Sequence, residues 1–231
     1  MHTSLVRQRG VTMVELALIL IMAGLLLGTF VKGQEITTSG RAKTLAADQA
    51  AVQTAFNLYL DRFRVVPGDD ATASIRFNAT QCGLPAGCRN GNGNGAIVGA
   101  HTDRVTAAGA AGVNDGPGNE VNKLWQHLRA AGLLRVDGSS LYDNPVSPSG
   151  GLIAVAGPTA GGANIPYAGM PPASLYLVIS NVPGHVAQAL DDARDDGLVN
   201  LGFYRAAANP GSAAPGLRYP AGSVAIATQL L

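Results

Sequence analysis

Charged residues are scarce in this chain, and neither sign of charge predominates. Lys, Arg, Asp and Glu make up 13% of the 231 residues, about half the usual share in soluble proteins, and the formal net charge is only +1. A protein that binds nucleic acid through charge needs a concentrated basic face, so this balance argues against that class. The 47% of hydrophobic residues argue equally against charge-driven disorder.

Motifs of the common catalytic sites are also missing. The chain contains no Gly-x-Ser-x-Gly, no His-Glu-x-x-His and no glycine-rich loop that ends in Gly-Lys-Ser/Thr. The histidines are scattered, Asp69 and Asp70 follow Pro67-Gly68 in a predicted turn, and no titratable pair stands out. The sequence therefore predicts that the protein is not an enzyme, with a membrane-anchored enzyme as the alternative.

The apolar residues are concentrated near the N-terminus. Residues 1–10 are polar and contain Arg7 and Arg9 but no acid, whereas residues 11–31 are almost wholly apolar. A run of about 20 residues is long enough to span a bilayer as a helix, and too long for the core of an ordinary secretory signal. The two arginines predict a cytoplasmic N-terminus, with the rest of the chain outside the inner membrane. A plain membrane anchor is the simplest alternative.

Glu15 is the exception within this run. It is the only charged residue between Arg9 and Lys32. A carboxylate at bilayer depth is costly, so such residues are usually paired and functional. The leader arginines are one candidate partner, and a cationic N-terminus created by cleavage after Gly10 is another.

The segment RGVTMVEL at 9–16, followed by an apolar helix, resembles the class III signal of type IV pilins and type II secretion pseudopilins. The resemblance implies that a prepilin peptidase cleaves between Gly10 and Val11 and methylates the new Val11 amine. It also implies that Glu15 neutralises the Val11 amine of a neighbouring subunit during assembly. Such an ion pair would set the axial register of the subunits as well as contributing energy.

The same resemblance implies a structural subunit of a type IV pilus-like filament. Its partners would be itself and other pilins, the peptidase and methyltransferase, and an inner-membrane assembly platform driven by a cytoplasmic ATPase. The precursor would cross the bacterial inner membrane once, with its head in the periplasm, before it enters the pilus or pseudopilus. A type II secretion pseudopilin and a minor or tip subunit, adhesive or DNA-binding, are the alternatives, although no nucleic-acid partner is evident.

Residues 32–64 continue the helical pattern beyond the apolar run. No proline precedes Pro67, and apolar residues recur at spacings of 3, 4 and 7. One helix is expected, with two helices joined at a glycine as the alternative. The predicted organisation is a leader peptide at 1–10, a transmembrane and polymerisation helix at 11–31, an amphipathic continuation at 32–64, and a loop-rich globular head at 65–231.

The head is predicted to be α+β, with a C-terminal antiparallel sheet against which the long first helix packs, as in pilins. A helix over 119–132, capped by Asn119, would place Trp125 in the core and His127 in solvent. A shorter helix is expected over 184–193. Four strands are predicted, at 151–156, 175–180, 201–206 and 223–230.

Residues 65–119 are rich in Gly, Pro, Asn and Asp and are predicted to be loop. They contain the only two cysteines, Cys82 and Cys88. An oxidising compartment favours a disulfide between them, and two cysteines without a second pair do not make a zinc site. The run Asn90–Gly95 is interpreted as turns rather than as a phosphate-binding loop.

An acidic cluster lies near the end of the predicted helix at 184–193. Residues 191–196 contain four aspartates, whose charges oppose the helix dipole. Calcium prefers oxygen ligands, and Asp191, Asp195 and Asp196 are the candidate ligands. A solvated turn is the alternative, and no cofactor other than this calcium is suggested.

Overall fold

The computed structural model describes residues 12–85, 87–98, 120–135, 144–156, 175–207, 219 and 222–230. These residues form a long helix, four shorter helices and a small antiparallel sheet, which confirms the α+β class. In chain order the elements are α1 (Met13–Phe63), α2 (Ala73–Arg76), α3 (Ala79–Cys82), α4 (Val121–Ala130), β1 (Ile153–Ala156), β2 (Tyr176–Pro183), α5 (Gly184–Arg194), β3 (Tyr204–Ala207) and β4 (Ser223–Gln229).

The first helix, α1, is uninterrupted over 51 residues, which corresponds to roughly 75 Å. Thr12 caps its start, and Arg64 ends it in the left-handed region at φ 57°. Gly33 and Gly40 lie inside the helix without a break, so one helix forms rather than two joined helices.

The two halves of α1 differ in burial. The first half is exposed, and Ile36 within it is 71% exposed. From Ala42 onward one face is covered by the head, and its positions recur at the spacings expected for an amphipathic helix. The buried residues are Ala42, Leu45, Ala46, Gln49, Val52, Ala55, Phe56 and Tyr59.

The sheet has the strand order β1-β2-β4-β3, with every neighbouring pair antiparallel. The central strands β2 and β4 are buried along most of their length. Core residues of α1, α4, α5 and the sheet belong to one hydrophobic cluster. The Tyr204 hydroxyl on β3 also donates a 3.0 Å hydrogen bond to Gln49 on α1, which ties the sheet edge to the long helix.

All four predicted strands form, but two start later than predicted. The first starts at Ile153, and Leu152 before it forms an isolated antiparallel bridge with Val146 instead. The third starts at Tyr204, whose N–H is donated to the side chain of Asp195 at 2.8 Å. The other two form close to their predicted bounds.

Helix α4 is shorter and more buried than its pattern predicts. Its N-cap is Glu120, which makes no side-chain cap bond, and the predicted cap Asn119 lies outside the described residues. Gly132 follows the helix at φ +72°, as its predicted C-terminal role requires. Trp125 is fully buried, as predicted, but so is every side chain from Lys123 to Ala130. The helix therefore has no solvated face among these residues.

The predicted disulfide is present between Cys82 and Cys88, and both residues are buried. It follows helix α3, whose start is held by a reciprocal capping box between Asn78 and Gln81. Closing so short a loop reduces the conformational entropy of the unfolded chain, which stabilises the folded state by about 2 kcal/mol at room temperature. The bridge thereby holds together a segment that has little regular secondary structure.

Candidate functional site

The first part of α1, Met13–Val31, is an exposed apolar surface, here called the apolar segment. Every side chain in it is exposed. Its most apolar 18-residue window has a mean hydropathy of 2.4 and is 0% buried, and by length and composition the helix can cross a membrane. Exposed apolar surfaces of this size mark contacts with lipid or protein.

Glu15 lies in the first turn of this segment. Its backbone N–H is donated to the Thr12 hydroxyl at 3.3 Å, which fixes the start of the helix. A carboxylate in the first turn interacts favourably with the helix dipole. The Glu15 side chain is exposed, so it can reach a partner outside its own chain.

Gly10 and Val11, the predicted processing site, lie outside the described residues. The described helix starts directly after them, at Thr12 and Met13.

Lys32 and Glu35 mark the end of the apolar segment. They form a 2.8 Å salt bridge on one face of α1, with both side chains largely exposed. Exposed pairs of this kind contribute little to stability. Their significance is positional, because they place the first charges after Glu15 where a membrane surface would lie.

Asp70 joins the end of α1 to the loop that follows. Its buried carboxylate accepts hydrogen bonds from the Tyr59 hydroxyl at 2.8 Å, from Arg76 Nε at 2.9 Å, and from the N–H and hydroxyl of Thr72. Burial opposes the charged form, but the bonds from Thr72, Arg76 and Tyr59 outweigh it and lower the pKa of Asp70 to about 2. Burial, followed by the bond to Asp70, raises the pKa of Tyr59.

The prediction that His127 is solvated is wrong, because the ring is fully buried. Its Nδ1 accepts from the Gly68 N–H at 2.9 Å, so Nε2 carries the proton and donates to the Arg89 carbonyl at 2.7 Å. Burial lowers the pKa of His127 to about 4, although the Arg89 carbonyl favours the charged form. A second proton on Nδ1 would also face the Gly68 donor.

Asp69 is the anchor of the glycine-rich run at 90–95. The residue is 1% exposed. Its carboxylate accepts the N–H groups of Gly93 at 2.7 Å, Asn94 at 3.2 Å and Gly95 at 2.7 Å. The run does cradle an anion, as glycine-rich loops can, but the anion is a carboxylate of the same chain.

Glu120 holds the middle of the same loop and the chain that follows it. It is fully buried and accepts from the N–H groups of Asn92 at 2.9 Å and Val98 at 3.3 Å. Burial raises the pKa of Glu120, the Asn92 bond opposes the rise, and the charge of neighbouring Asp69 adds to it. The expectation that no titratable pair stands out is therefore wrong. Because backbone donors engage both carboxyl groups, the pair fastens a loop.

The acidic cluster brings together the three predicted ligands. Carboxylate oxygens of Asp191, Asp195 and Asp196 lie within 4.8 Å of one another. Asp191 is fully buried, the Tyr219 hydroxyl donates to its Oδ2 at 2.9 Å, and its Oδ1 has no hydrogen-bond partner among the described residues. Burial and the two neighbouring aspartates raise the pKa of Asp191 to about 6, against the opposing Tyr219 bond.

Comparison of the chain with protein-family profiles, characterised proteins and solved structures finds no match. The features that bear on function are therefore those of the chain itself. They are the apolar segment with Glu15 at its start, the buried polar network and the acidic cluster.

Proposed function

We propose that the chain is a structural subunit of a type IV pilus-like filament, processed after Gly10 and polymerised through the helix at 11–31. The observation that carries this proposal is the apolar segment, which no part of the described head covers. The head has a core of its own, to which α1 contributes only from Ala42 onward. The C-terminal half of α1 is packed in the head, and its exposed N-terminal half is free to pack against the same half of other copies in a filament.

The energetics require a cover for the apolar segment. Each fully buried Leu, Ile, Val, Met or Phe side chain is stabilised by about 1.5–3 kcal/mol relative to water, so this surface would be strongly disfavoured in solvent. A bilayer supplies the cover for a single subunit. Neighbouring copies of the same helix supply it in a filament, so the segment serves first as a membrane span and then as a polymer interface.

Glu15 gives the polymer its register. A carboxylate among apolar helices is unfavourable unless a cation neutralises it, and the amine of Val11 in a neighbouring copy is that cation. The amine exists only after cleavage behind Gly10, so assembly depends on processing. Peptidase, assembly platform and ATPase are the partners that this route requires.

Two alternative functions would use the same features of the chain. A type II secretion pseudopilin would polymerise in the same way but remain in the cell envelope. A minor or tip subunit would enter a filament built by other pilins, and the loop-rich segment at 65–98 would then be displayed at its surface. A structural role fits all three, rather than a catalytic one.

Shearing the appendages from cells that produce the protein tests the proposal. We expect the mature chain in the sheared filaments, identified by mass spectrometry and immunogold labelling. Multimers captured by crosslinking only in the envelope would instead favour the pseudopilus. A monomeric chain confined to the membrane fraction would contradict polymerisation, and a strain without prepilin peptidase is the control.

The acidic cluster supports a second, subsidiary proposal, a calcium site formed by Asp191, Asp195 and Asp196. At neutral pH three carboxylates share a small space, and the unpartnered, buried Oδ1 of Asp191 is a ready ligand atom. Calcium takes six to eight oxygens, so water or main-chain carbonyls would complete its shell. A calcium site would favour the pseudopilin alternative.

Calcium should raise the thermal midpoint of the detergent-solubilised protein. With a Kd in the range of extracellular calcium modules, 10 mM calcium would add about 2 kcal/mol, or roughly 4–8 °C. Asp191→Asn should abolish this shift. Asp192→Asn is the matched control and should keep it, because the Asp192 carboxylate lies outside the cluster and accepts from Gln188 instead. An equal shift in both variants, or none in the wild type, would rule out the site.

A further inference from the structure

The loop at 90–95 consists of three consecutive Asn-Gly dipeptides, and the chain contains no others. Asn-Gly is a chemically labile sequence. The backbone nitrogen of the glycine attacks Cγ of the asparagine, the Cγ–Nδ2 bond breaks, and ammonia leaves as a succinimide ring forms. Water then opens the ring to aspartate or isoaspartate. The attacking atom is thus the glycine nitrogen, and its proton must be lost.

In this head all three attacking nitrogens are engaged as hydrogen-bond donors. Gly91 donates to the backbone carbonyl of Asp70 at 2.9 Å. Gly93 and Gly95 each donate to the carboxylate of Asp69 at 2.7 Å, one to either oxygen. A carboxylate acceptor is especially effective, because its negative charge disfavours loss of the N–H proton beside it.

The asparagine side chains are held as well. Asn90 Oδ1 accepts from the Ser74 N–H at 2.8 Å. Asn92 and Asn94 each accept from the N–H two residues further on, at 2.9 Å. These bonds fix the side-chain torsions through which Cγ would have to approach the next nitrogen.

The same geometry explains why glycine follows each asparagine. An added Cβ on Gly91 would come 2.3 Å from backbone atoms of Asp69. Gly93 and Gly95 have φ of +72° and +83°, a region that other residues rarely adopt. The wrapping of the loop around Asp69 therefore requires glycine at the second position of each labile dipeptide.

We propose that Asn90, Asn92 and Asn94 form a latent deamidation site, which Asp69 and Asp70 keep unreactive while the loop is closed. Reaction at Asn92 or Asn94 adds a negative charge to a residue whose backbone N–H already binds the buried Glu120 or Asp69, which weakens the closed loop. Opening of the loop and deamidation thus reinforce each other. The inference concerns the head alone and does not depend on polymerisation.

The test follows the three sites separately by peptide mass spectrometry, in full-length protein in detergent at pH 8 and 37 °C. Deamidation in the folded wild type should be at least about tenfold slower than in protein unfolded in guanidinium, because it proceeds through rare local opening. Asp69→Asn should accelerate Asn94 most. The new amide oxygen can keep the two donors Gly93 and Asn94, but its NH₂ group then faces the Gly95 N–H.

Asn90 is the internal control, since Gly91 donates to a backbone carbonyl that the substitution leaves in place. Asp61→Asn, at an exposed position on α1, is the matched variant and should deamidate like the wild type. If Asp69→Asn unfolds the head, hydrogen exchange of the backbone amides in the wild type decides. The exchange of the Gly93 and Gly95 amides must then be slowed by the same factor as deamidation of the asparagines that precede them. The proposal is overturned by wild-type deamidation at the unfolded rate, or by equal acceleration of Asn90 and Asn94 in a folded variant.

Discussion

Replacing Glu15 with alanine should abolish incorporation of this subunit into filaments while leaving cleavage after Gly10 largely intact. The carboxylate is the only charge in the apolar segment and is exposed on its first turn. Without it, the Val11 amine of the neighbouring copy would be buried without a counter-ion. The amount of chain in sheared filaments, relative to the membrane fraction, measures the effect.

The expected loss is large because the partner is left charged. Removing one member of a buried ion pair costs roughly 3–5 kcal/mol, which corresponds to a hundredfold or greater weakening of each contact. Glu15→Gln should be nearly as severe, since it keeps the shape but not the charge. Both variants should insert into the membrane at least as well as the wild type, because they remove a charge from the span.

Glu35→Ala is the matched control, with the same substitution on the same helix. Glu35 is exposed beyond the apolar segment and pairs with Lys32 on the surface. Its loss should leave both processing and assembly close to wild-type levels. Normal filaments containing the Glu15 variant, or an equal defect in the Glu35 variant, would remove the proposed role of Glu15.

Acidification should destabilise the head through His127. The difference in free energy of unfolding between wild type and His127→Gln should change by about 3 kcal/mol between pH 7 and pH 4, in favour of the variant at low pH. The folded-state pKa of about 4 lies below the ordinary 6.5. The unfolded state therefore binds the proton more readily, and wild-type stability is lost as pH falls through this window.

The difference between the two proteins is the appropriate quantity, because other groups titrate nearby. The raised pKa values of Asp191 and Glu120 stabilise the folded state as pH falls and so oppose His127 in the total. Asp70, with a pKa lowered to about 2, loses its contribution mainly below this window. Of the charged groups around the ring, Asp70 favours the imidazolium, whereas Lys123 and Arg76 disfavour it.

Urea titrations in detergent can follow this transition by the fluorescence of Trp125, the single tryptophan, which is buried on the same helix, α4, as His127. His185→Gln, which replaces an exposed histidine on α5, is the matched control substitution. A constant difference between wild type and His127→Gln from pH 7 to pH 4 would show that the buried imidazole does not control acid stability.

The regular elements were predictable because periodicity and turn residues determine them locally. The length of α1 follows from the absence of proline before Pro67 and from the apolar spacing after residue 40. The strands follow from short apolar runs between glycine-rich turns. The disulfide between Cys82 and Cys88 follows from the cysteine count and the compartment that the N-terminus implies. Apart from the compartment, each of these signals lies within a few residues of the structure that it specifies.

The buried polar network was not predictable in the same way, because its partners are far apart in the chain. Asp69 meets the amides of Gly93 and Gly95, and His127 meets Gly68 and Arg89. The periodicity predicted a solvent-exposed His127 because an amphipathic helix has one exposed face. In the structure, loop residues cover the polar face of α4 as well. A polar residue on a helix flanked by a long Gly/Asn-rich loop is a weak signal of such covering.

The most direct test of the central claim is N-terminal sequencing of the protein purified from cells that contain a prepilin peptidase. We expect a single N-terminus at Val11, with its amine methylated, since both the polymer interface and the counter-ion of Glu15 depend on that cleavage. An intact Met1, or a cut at another bond, would contradict the assignment of this chain to a pilin-like filament.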